Sequence, residues 1–579
     1  MAVLGVDVGG TFTDAVVLDG GRVTTAKVLT APHQEESVIA AALAAGAGSG
    51  VERFAHGTTV ATNALLERKG ARTAFVTTAG FEHLLHLRRQ TRAHLYRPCA
   101  AWPDPLVPLE RSYGVRGRIG PAGELEPLDL GTLPDIDAEA IAVCLLHAYR
   151  DASHERAVAE ELRRRFPDAH VVASHEVAPE FREYERASTT AADAYLRPVA
   201  SRYLHALTDA SATAGLPAPL VMRSSGGVAT PAEAAEHPAT ILVSGPAAGV
   251  VGAARLAALA GIENAIAFDM GGTSTDVCLI AGGRAERASE RKVAGLPIRL
   301  PTVDLHTVGA GGGSLVWRDP GGALRVGPQS AGASPGPACY GRGGTQGTVT
   351  DANLLLGRLP DLLAGGVELD RAAAERALAG IDPAAVVDVV NSEILRALRV
   401  VSVERGQDPA DFALVAFGGA GPLHACDLAH ELGIRTVLVP EAAGVLSALG
   451  LVVSDERRDS VRSYLVPLAE AGELPPAGEA DLRYAGQSFE LTLPLQADLA
   501  GAFHRLHEEQ YGFAERDRDV ELVAVRTAEI RTGPELDLPR SEETTIAGPA
   551  VVGLPGSTCW IPPGWVGVRD GRMLRLTRQ

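Results

Sequence analysis

Asp7-Val8-Gly9-Gly10-Thr11-Phe12-Thr13-Asp14 recurs in this chain as Asp269-Met270-Gly271-Gly272-Thr273-Ser274-Thr275-Asp276. The offset is 269 − 7 = 262 residues, and it holds without a gap from Asp7 to Arg22 against Asp269 to Arg284. Nine of these sixteen aligned positions are identical, including Gly20-Gly21-Arg22 against Gly282-Gly283-Arg284. A repeat of this length marks a duplicated structural unit. In each copy an apolar run (Val3 to Val6; Ala265 to Phe268) feeds the aspartate, and a Gly-Gly-Thr turn follows. A second apolar run (Ala15 to Leu18; Val277 to Ile280) then leads to the Gly-Gly pair. The order predicts an antiparallel hairpin, with glycines where positive φ is needed.

The chemistry follows from the residue types. Gly9, Gly10, Gly271 and Gly272 let backbone N–H groups approach an anion, and Thr11, Thr13, Thr273 and Thr275 add hydroxyl donors. Each hairpin is therefore expected to grip phosphate. The aspartates oppose this on their own: a carboxylate about 4 Å from a phosphate oxygen repels it by ~1 kcal/mol in water and ~4 kcal/mol at an effective dielectric near 20. A cation between them resolves the conflict. The expectation is Mg²⁺, which sheds water reluctantly, held mostly through waters by Asp7 and Asp269. Two ordinary glycine turns with capping aspartates would explain one copy, but two matched copies less well.

Bulk properties narrow the field. A length of 579 residues suggests about three or four domains. With 46% hydrophobic and 21% charged residues the composition is globular. A net charge of −18 argues against nucleic-acid or anionic-membrane partners. The only lysines are Lys27, Lys69 and Lys292; none follows a glycine, so a Walker A loop is excluded. The six cysteines form no Cys-x-x-Cys pair, which argues against a disulfide framework or structural zinc. Strand-like sequence from Ala2 leaves no room for a signal peptide, and no charge-free apolar run approaches the ~18 residues of a membrane span. A cytoplasmic protein is expected.

Further motifs lie between the repeats. His56-Gly57-Thr58-Thr59 runs into a helix, and Ile241-Leu242-Val243 opens on Ser244-Gly245-Pro246-Ala247-Ala248-Gly249. A strand opening on a small-residue turn at a helix start often faces ligand in α/β proteins, although close helix packing explains small residues equally. His306-Thr307-Val308-Gly309-Ala310-Gly311-Gly312-Gly313-Ser314 implies backbone close to a ligand or to other backbone. Phe412 to Phe417 runs into Gly418-Gly419-Ala420-Gly421-Pro422, a third strand-to-glycine turn expected to lie under an adenosine. His56 and His306 are candidates for the substrate side, although a lone histidine is more often structural. Ser188-Thr189-Thr190 is expected near the start of a helix running from Ala191 to Leu207.

Two Asp-x-Gly-Gly-Thr hairpins with a later Gly-Gly-Ala-Gly resemble the actin-like ATPase fold. The ordered set of motifs from Gly5 to Pro422 resembles, more narrowly, the nucleotide-binding (N-methylhydantoinase A type) subunit of the hydantoinase/oxoprolinase family. The resemblance implies an α/β protein of two related actin-like domains around an interdomain nucleotide cleft, with a small C-terminal β-rich domain. The expected boundaries are 1–186, 187–462 and 463–579, with a linker around Pro467 to Asp481. It implies ATP and Mg²⁺, with Gly9, Gly10, Thr11, Thr13, Gly245, Gly271, Gly272, Thr273, Thr275, Gly418, Gly419 and Gly421 binding nucleotide. Asp7, Asp269, His56 and His306 are the catalytic candidates, and Asp7 and Asp269 the metal-orienting ones. The implied reaction is ATP-dependent opening of a cyclic amide such as 5-oxoproline or a hydantoin, working with a separate hydantoinase B-type subunit in a hetero-oligomer, or as a homodimer. An ATP-dependent carboxylase subunit acting on a ketone is the first alternative. A small-molecule kinase and an actin-like or chaperone-type switch are more distant ones.

Overall fold

A computed structural model describes residues 2–363 and 367–579. Both predicted hairpins form. Ala2–Val8 pairs antiparallel with Phe12–Asp19, and Ala265–Met270 pairs antiparallel with Thr275–Ala281, in the same register. Each first strand also takes a parallel neighbour, Val51–Gly57 in the first half and Ala413–Phe417 in the second. Each hairpin thus sits inside a larger sheet, with buried apolar side chains on both faces of its first strand: Val3, Leu4, Val6 and Val8 in one, Ile266, Ala267, Phe268 and Met270 in the other.

Two helices of small residues join these sheets. Ser244–Leu259 follows the first sheet, and Leu446–Val452 lies across it. A Cβ on Gly450 would stand 1.9 Å from the Ala248 carbonyl oxygen, and one on Gly5 would stand 2.2 Å from that of Ala448. Close helix packing accounts for the small residues of 245–249, while Gly245 itself faces a carboxylate, described below. A third sheet of Gly123–Asp129, Ser112–Gly120, Thr73–Thr78, Ala140–Cys144 and His170–Ala173 is an excursion from the first half.

The C-terminal region is β-rich, and its strands are shared between the halves. Glu456–Pro467 runs straight across the expected 462/463 boundary and pairs with Val520–Arg531, extending the first sheet. Met573–Arg578 pairs with Thr436–Pro440 and extends the second. The expected linker holds a single 3-10 turn, Leu468–Glu470, before the strand Glu479–Tyr484. The hairpin Ala550–Leu554 and Ser557–Ile561 brings its tip, Gly556, against the backbone of Gly444.

One local expectation is corrected. Ser188, Thr189 and Thr190 lie inside a helix that begins at Glu183 and runs to Thr213. The hydroxyls of Thr189 and Thr190 donate to the Glu185 and Arg186 carbonyls, the back-bonding open to a buried helix-interior threonine. The stretch around Arg291–Val293 and Leu296–Ile298, carried by the second half, packs into the first: Val293, Leu296, Ile298 and Leu300 join the core around that same helix. Arg299 Nε donates to buried Glu180, which also accepts from Arg526. No helix among the described residues is long and apolar enough to cross a membrane.

Candidate active site

Register places the charged side chains. Asp7 stands opposite Asp14, Asp14 opposite Lys27, and Asp7 beside Gly57 on the parallel strand. Paired residues project from the same face of a sheet. Gly57, Asp7, Asp14 and Lys27 therefore form a row. In the second half Asp269 stands opposite Asp276, and Asp276 opposite Thr307. Asp269 also neighbours Phe417, the residue before Gly418. One helix, Ser244–Leu259, reaches both rows: a Cβ on Gly245 would stand 3.1 Å from Asp7 Oδ1, and one on Gly249 would stand 2.8 Å from the ring of Phe417, the strand partner of Asp269.

Glycines wall the central carboxylates. A Cβ on Gly57 would stand 2.3 Å from Asp7 Oδ1, and one on Gly245 would stand 3.1 Å from it. A Cβ on Gly418, where φ is +81°, would stand 2.3 Å from Asp269 Oδ1. Gly418 is thus a carboxylate wall. Gly419 faces open space, and Gly421 begins the helix Gly421–Glu431. Asp7 Oδ1 is occluded and has no hydrogen-bond partner. Burial pushes Asp7 up to about 7, Asp14 adding to the shift and Lys27 opposing it. Burial pushes Asp269 up to about 8, helped by Asp276, Asp7 and Asp14. Asp14 and Asp276 are raised by burial too, against Lys27 in the first case and the Thr307 hydroxyl in the second. Carboxylates raised in this way and clustered together mark a candidate functional site.

The turns differ from expectation in two respects. Positive φ occurs at Gly20, Gly21, Gly282 and Gly283, at the far ends of the hairpins, and not at Gly9, Gly10, Gly271 or Gly272. The turn glycines serve instead as bare backbone, with Gly10 and Gly272 exposed. Thr13 and Thr275 are buried and turned inward: Thr13 Oγ1 meets Thr30 Oγ1 at 3.1 Å, and Thr275 Oγ1 donates to the Ala310 carbonyl. Thr273 is exposed and Thr11 half-buried, so these two hydroxyls belong to the open side of the turns.

Other backbone braces both turns. Thr30 donates from its N–H to the Thr11 carbonyl and from its hydroxyl to the Gly9 carbonyl. Gly312 and Gly313 donate to the Gly271 and Gly272 carbonyls. Of the two explanations for the 309–313 glycines, contact with other backbone is the one realised: a Cβ on Gly311 would stand 2.7 Å from Thr273 N. Ahead of Gly245, Val243 takes a φ of 54°, a conformation β-branched residues avoid, and Ser244 Oγ donates to the Thr58 carbonyl. This strained entry aims the start of the helix Ser244–Leu259 at Asp7.

The two histidines are not where they were expected. His56 pairs with Val6 in the sheet, so it projects from the opposite face to Asp7. It is fully buried, with Nδ1 donating to the Val6 carbonyl and Nε2 accepting from the Tyr203 hydroxyl. Burial holds it down at about 4, so it is a neutral core residue. His306 pairs with Val277, leaving its neighbour Thr307 to donate to Asp276 at 2.5 Å. Arg291 in turn donates to Thr307. Sequence reading missed Lys27, Thr307 and Arg291. For Lys27 a signal existed: a two-residue turn at Gly20-Gly21 places Asp14 and Lys27 opposite each other.

The chain is similar to known proteins along nearly its whole length. A sequence model described as hydantoinase/oxoprolinase matches residues 186–460, and one described as the hydantoinase/oxoprolinase N-terminal region matches residues 3–166. An uncharacterized protein of Methanocaldococcus jannaschii is 36% identical, covering 98% of both chains. Caprolactamase subunit alpha of Pseudomonas jessenii is 34% identical over 94% of this chain and 90% of its own. Acetophenone carboxylase gamma subunit of Aromatoleum aromaticum is 36% identical over 78% of this chain and 67% of its own. The crystal structure of ATP-dependent caprolactamase from Pseudomonas jessenii superposes with a TM-score of 0.89 at 31% identity, covering 100% of both chains.

Proposed function

The chain belongs to the hydantoinase/oxoprolinase family, and on that premise we propose that it is an ATP-dependent subunit that phosphorylates the carbonyl oxygen of a cyclic amide so that the ring can open. The observation that carries this is the pair of facing Asp rows, Asp7–Asp14 and Asp269–Asp276, each on a hairpin with an open glycine turn. The turns Gly9–Thr11 and Gly271–Thr273 hold the phosphates, and the Gly418–Gly421 stretch lies toward the adenosine. The substrate class is 5-oxoproline, a hydantoin or a similar lactam.

Asp7 and Asp269 fit Mg²⁺. Asp7 presents a bare, occluded oxygen, and both carboxyls are raised by burial, so a cation supplies the partner their ionised forms lack. Among the described residues no group of three His, Cys, Asp or Glu side chains could hold a metal ion. These two would therefore hold it mostly through water. The ion supplies neutralisation of phosphate charge when bound.

The chain's own part is positioning and charge. The amide oxygen attacks the terminal phosphorus, and the bridging P–O bond breaks with its electron pair going to ADP. The carbonyl carbon, now bearing a phosphate, accepts water; the C–N bond breaks, the amine leaves and an acyl phosphate remains. A second water releases inorganic phosphate and the carboxylate. A hydantoinase B-type subunit, a separate cytoplasmic polypeptide, would complete the ring opening, in keeping with relatives that are themselves named as subunits. ADP release driven by a lactam or hydantoin without bicarbonate is the expected result of a substrate screen on the co-purified complex. The likeness to a carboxylase subunit supports a second reading, phosphorylation serving ketone carboxylation. Bicarbonate-dependent ADP release with a ketone would replace the first reading with the second.

A further inference from the structure

Resting on the proposed phosphoryl transfer, we propose that Lys27 is a further catalytic residue, the side chain that places positive charge on the terminal phosphoryl group as it moves. Four observations carry this. Lys27 ends the row Gly57–Asp7–Asp14–Lys27, on the sheet face that carries both carboxylates, with Nζ 2.5 Å from Asp14 Oδ1. Its charge also reaches Asp7 and, from the other half of the molecule, Asp269. Among the described residues it is the one cation whose charge acts on Asp7, Asp14 and Asp269 alike.

The side chain is held in place yet stays partly exposed. Nζ lies 5.2 Å from the Phe12 ring centre, and Gly556, at the tip of the C-terminal hairpin, comes within 3.4 Å of Lys27 Cε where a side chain would begin. The same tip packs on Gly444 backbone, and Ser557 Oγ donates to the carbonyl of Gly418, the wall of Asp269. The tail thus touches both rows at once. The Lys27 side chain nevertheless keeps 32% of its surface exposed.

The residue type is the fourth observation. The chain uses 53 − 3 = 50 arginines and three lysines, yet the position at the end of the aspartate row is a lysine. A compact ammonium fits a crowded phosphate end as a point charge, whereas a guanidinium fork would seek a bidentate carboxylate. Asp14 alone does not explain it, because an exposed Arg–Asp pair would satisfy that carboxylate as well. With carboxylates on both sides and an incoming nucleotide triphosphate, the site has a large surplus of negative charge, and neutralising it is the main catalytic task in phosphoryl transfer.

The test compares wild type with Lys27→Met and Lys27→Arg in the co-purified complex, by affinity for Mg·ADP, for Mg·ADP with aluminium fluoride as a phosphoryl mimic, and by ATP turnover. Thermal melts check folding. The expected result is a Lys27→Met protein that binds Mg·ADP within about 5-fold of wild type but loses about 100-fold or more in turnover and in its preference for the aluminium fluoride complex, with partial recovery in Lys27→Arg. Wild-type turnover and mimic preference in a folded Lys27→Met protein would overturn the inference while leaving the ATP site intact. A parallel loss of Mg·ADP binding, turnover and melting temperature would overturn it too, assigning Lys27 to the fold. Failure of wild type to bind Mg·ADP would remove the functional reading itself, and this inference with it.

Discussion

The first hairpin and the second share a sequence and a register, and differ in what surrounds them. In the first, Asp14 faces an ammonium on the next strand, and the turn is braced by one residue, Thr30. In the second, Asp276 faces the hydroxyl of Thr307, with Arg291 behind it, and the turn is braced by the backbone of a glycine run. Duplication supplied two equivalent carboxylate pairs. The unduplicated neighbours then made one side charged and accessible and the other backed by rigid backbone. That division suits a site in which one half works on the moving phosphoryl group and the other holds the rest of the nucleotide.

The largest effect should come from the shared element. Asp7→Asn and Asp269→Asn are each expected to lower ATP turnover by about 1,000-fold or more, with melting temperature unchanged or raised, since burial already disfavours charge there. If one variant turned over ATP normally, the two halves would not be equivalent in the way their register implies. Next come the walls. Gly418→Ala would place a methyl at 2.3 Å from Asp269 Oδ1, at a φ unsuited to it, and should cost about 1–3 kcal/mol of stability in chemical denaturation as well as most turnover. Gly245→Ala meets Asp7 at 3.1 Å and should be milder in both assays, which orders the walls of the two rows.

Proton linkage sharpens the comparison further. Asp7 and Asp269 have folded values near 7 and 8, above the 3.8 of an unperturbed carboxyl. The native state therefore holds protons that the unfolded chain releases. Their contribution to the stability of the metal-free protein is fully present below about pH 4 and lost as pH rises through 7 to 8. Mg·nucleotide affinity, which needs the ionised forms, should rise over that same interval. Denaturation and titration calorimetry across pH 5 to 9 check the opposite signs; parallel trends would reject the metal-orienting roles. Thr307→Val should lower turnover by only about 3- to 10-fold, because it removes one hydrogen bond from Asp276. Smallest of all, His306→Ala should leave turnover within about 3-fold in a steady-state assay, in line with the change of a residue on the opposite face from Asp276.

Much of this was legible in the sequence. The repeated Asp-x-Gly-Gly-Thr and its flanking apolar runs determine hairpin, register and the paired carboxylates of each hairpin, because strand pairing after a short turn is local. His56 misled because proximity in sequence to Gly57 hides the alternation of a strand, which sends adjacent side chains to opposite faces. Thr13 and Thr275 misled for the same reason: each already belongs to the second strand of its hairpin, one residue before Asp14 or Asp276, so its side chain lies on the opposite, inward face. The sharing of the last strands between two sheets depends on pairings such as Glu456–Pro467 with Val520–Arg531, which no local pattern announces. The brace of Gly312 and Gly313 on Gly271 and Gly272 is likewise invisible until the chain has folded back.

The stretch from Arg291 to Leu300 behaves like a tenon seated in its mortise. It leaves the second half, buries Val293, Leu296 and Ile298 in the first, and is pinned there by Arg299 on Glu180. Neither half made as an isolated polypeptide would be whole: one would carry an oily finger with nothing to grip, the other an open socket. Any rocking of the two lobes during a turnover cycle must then swivel about this joint.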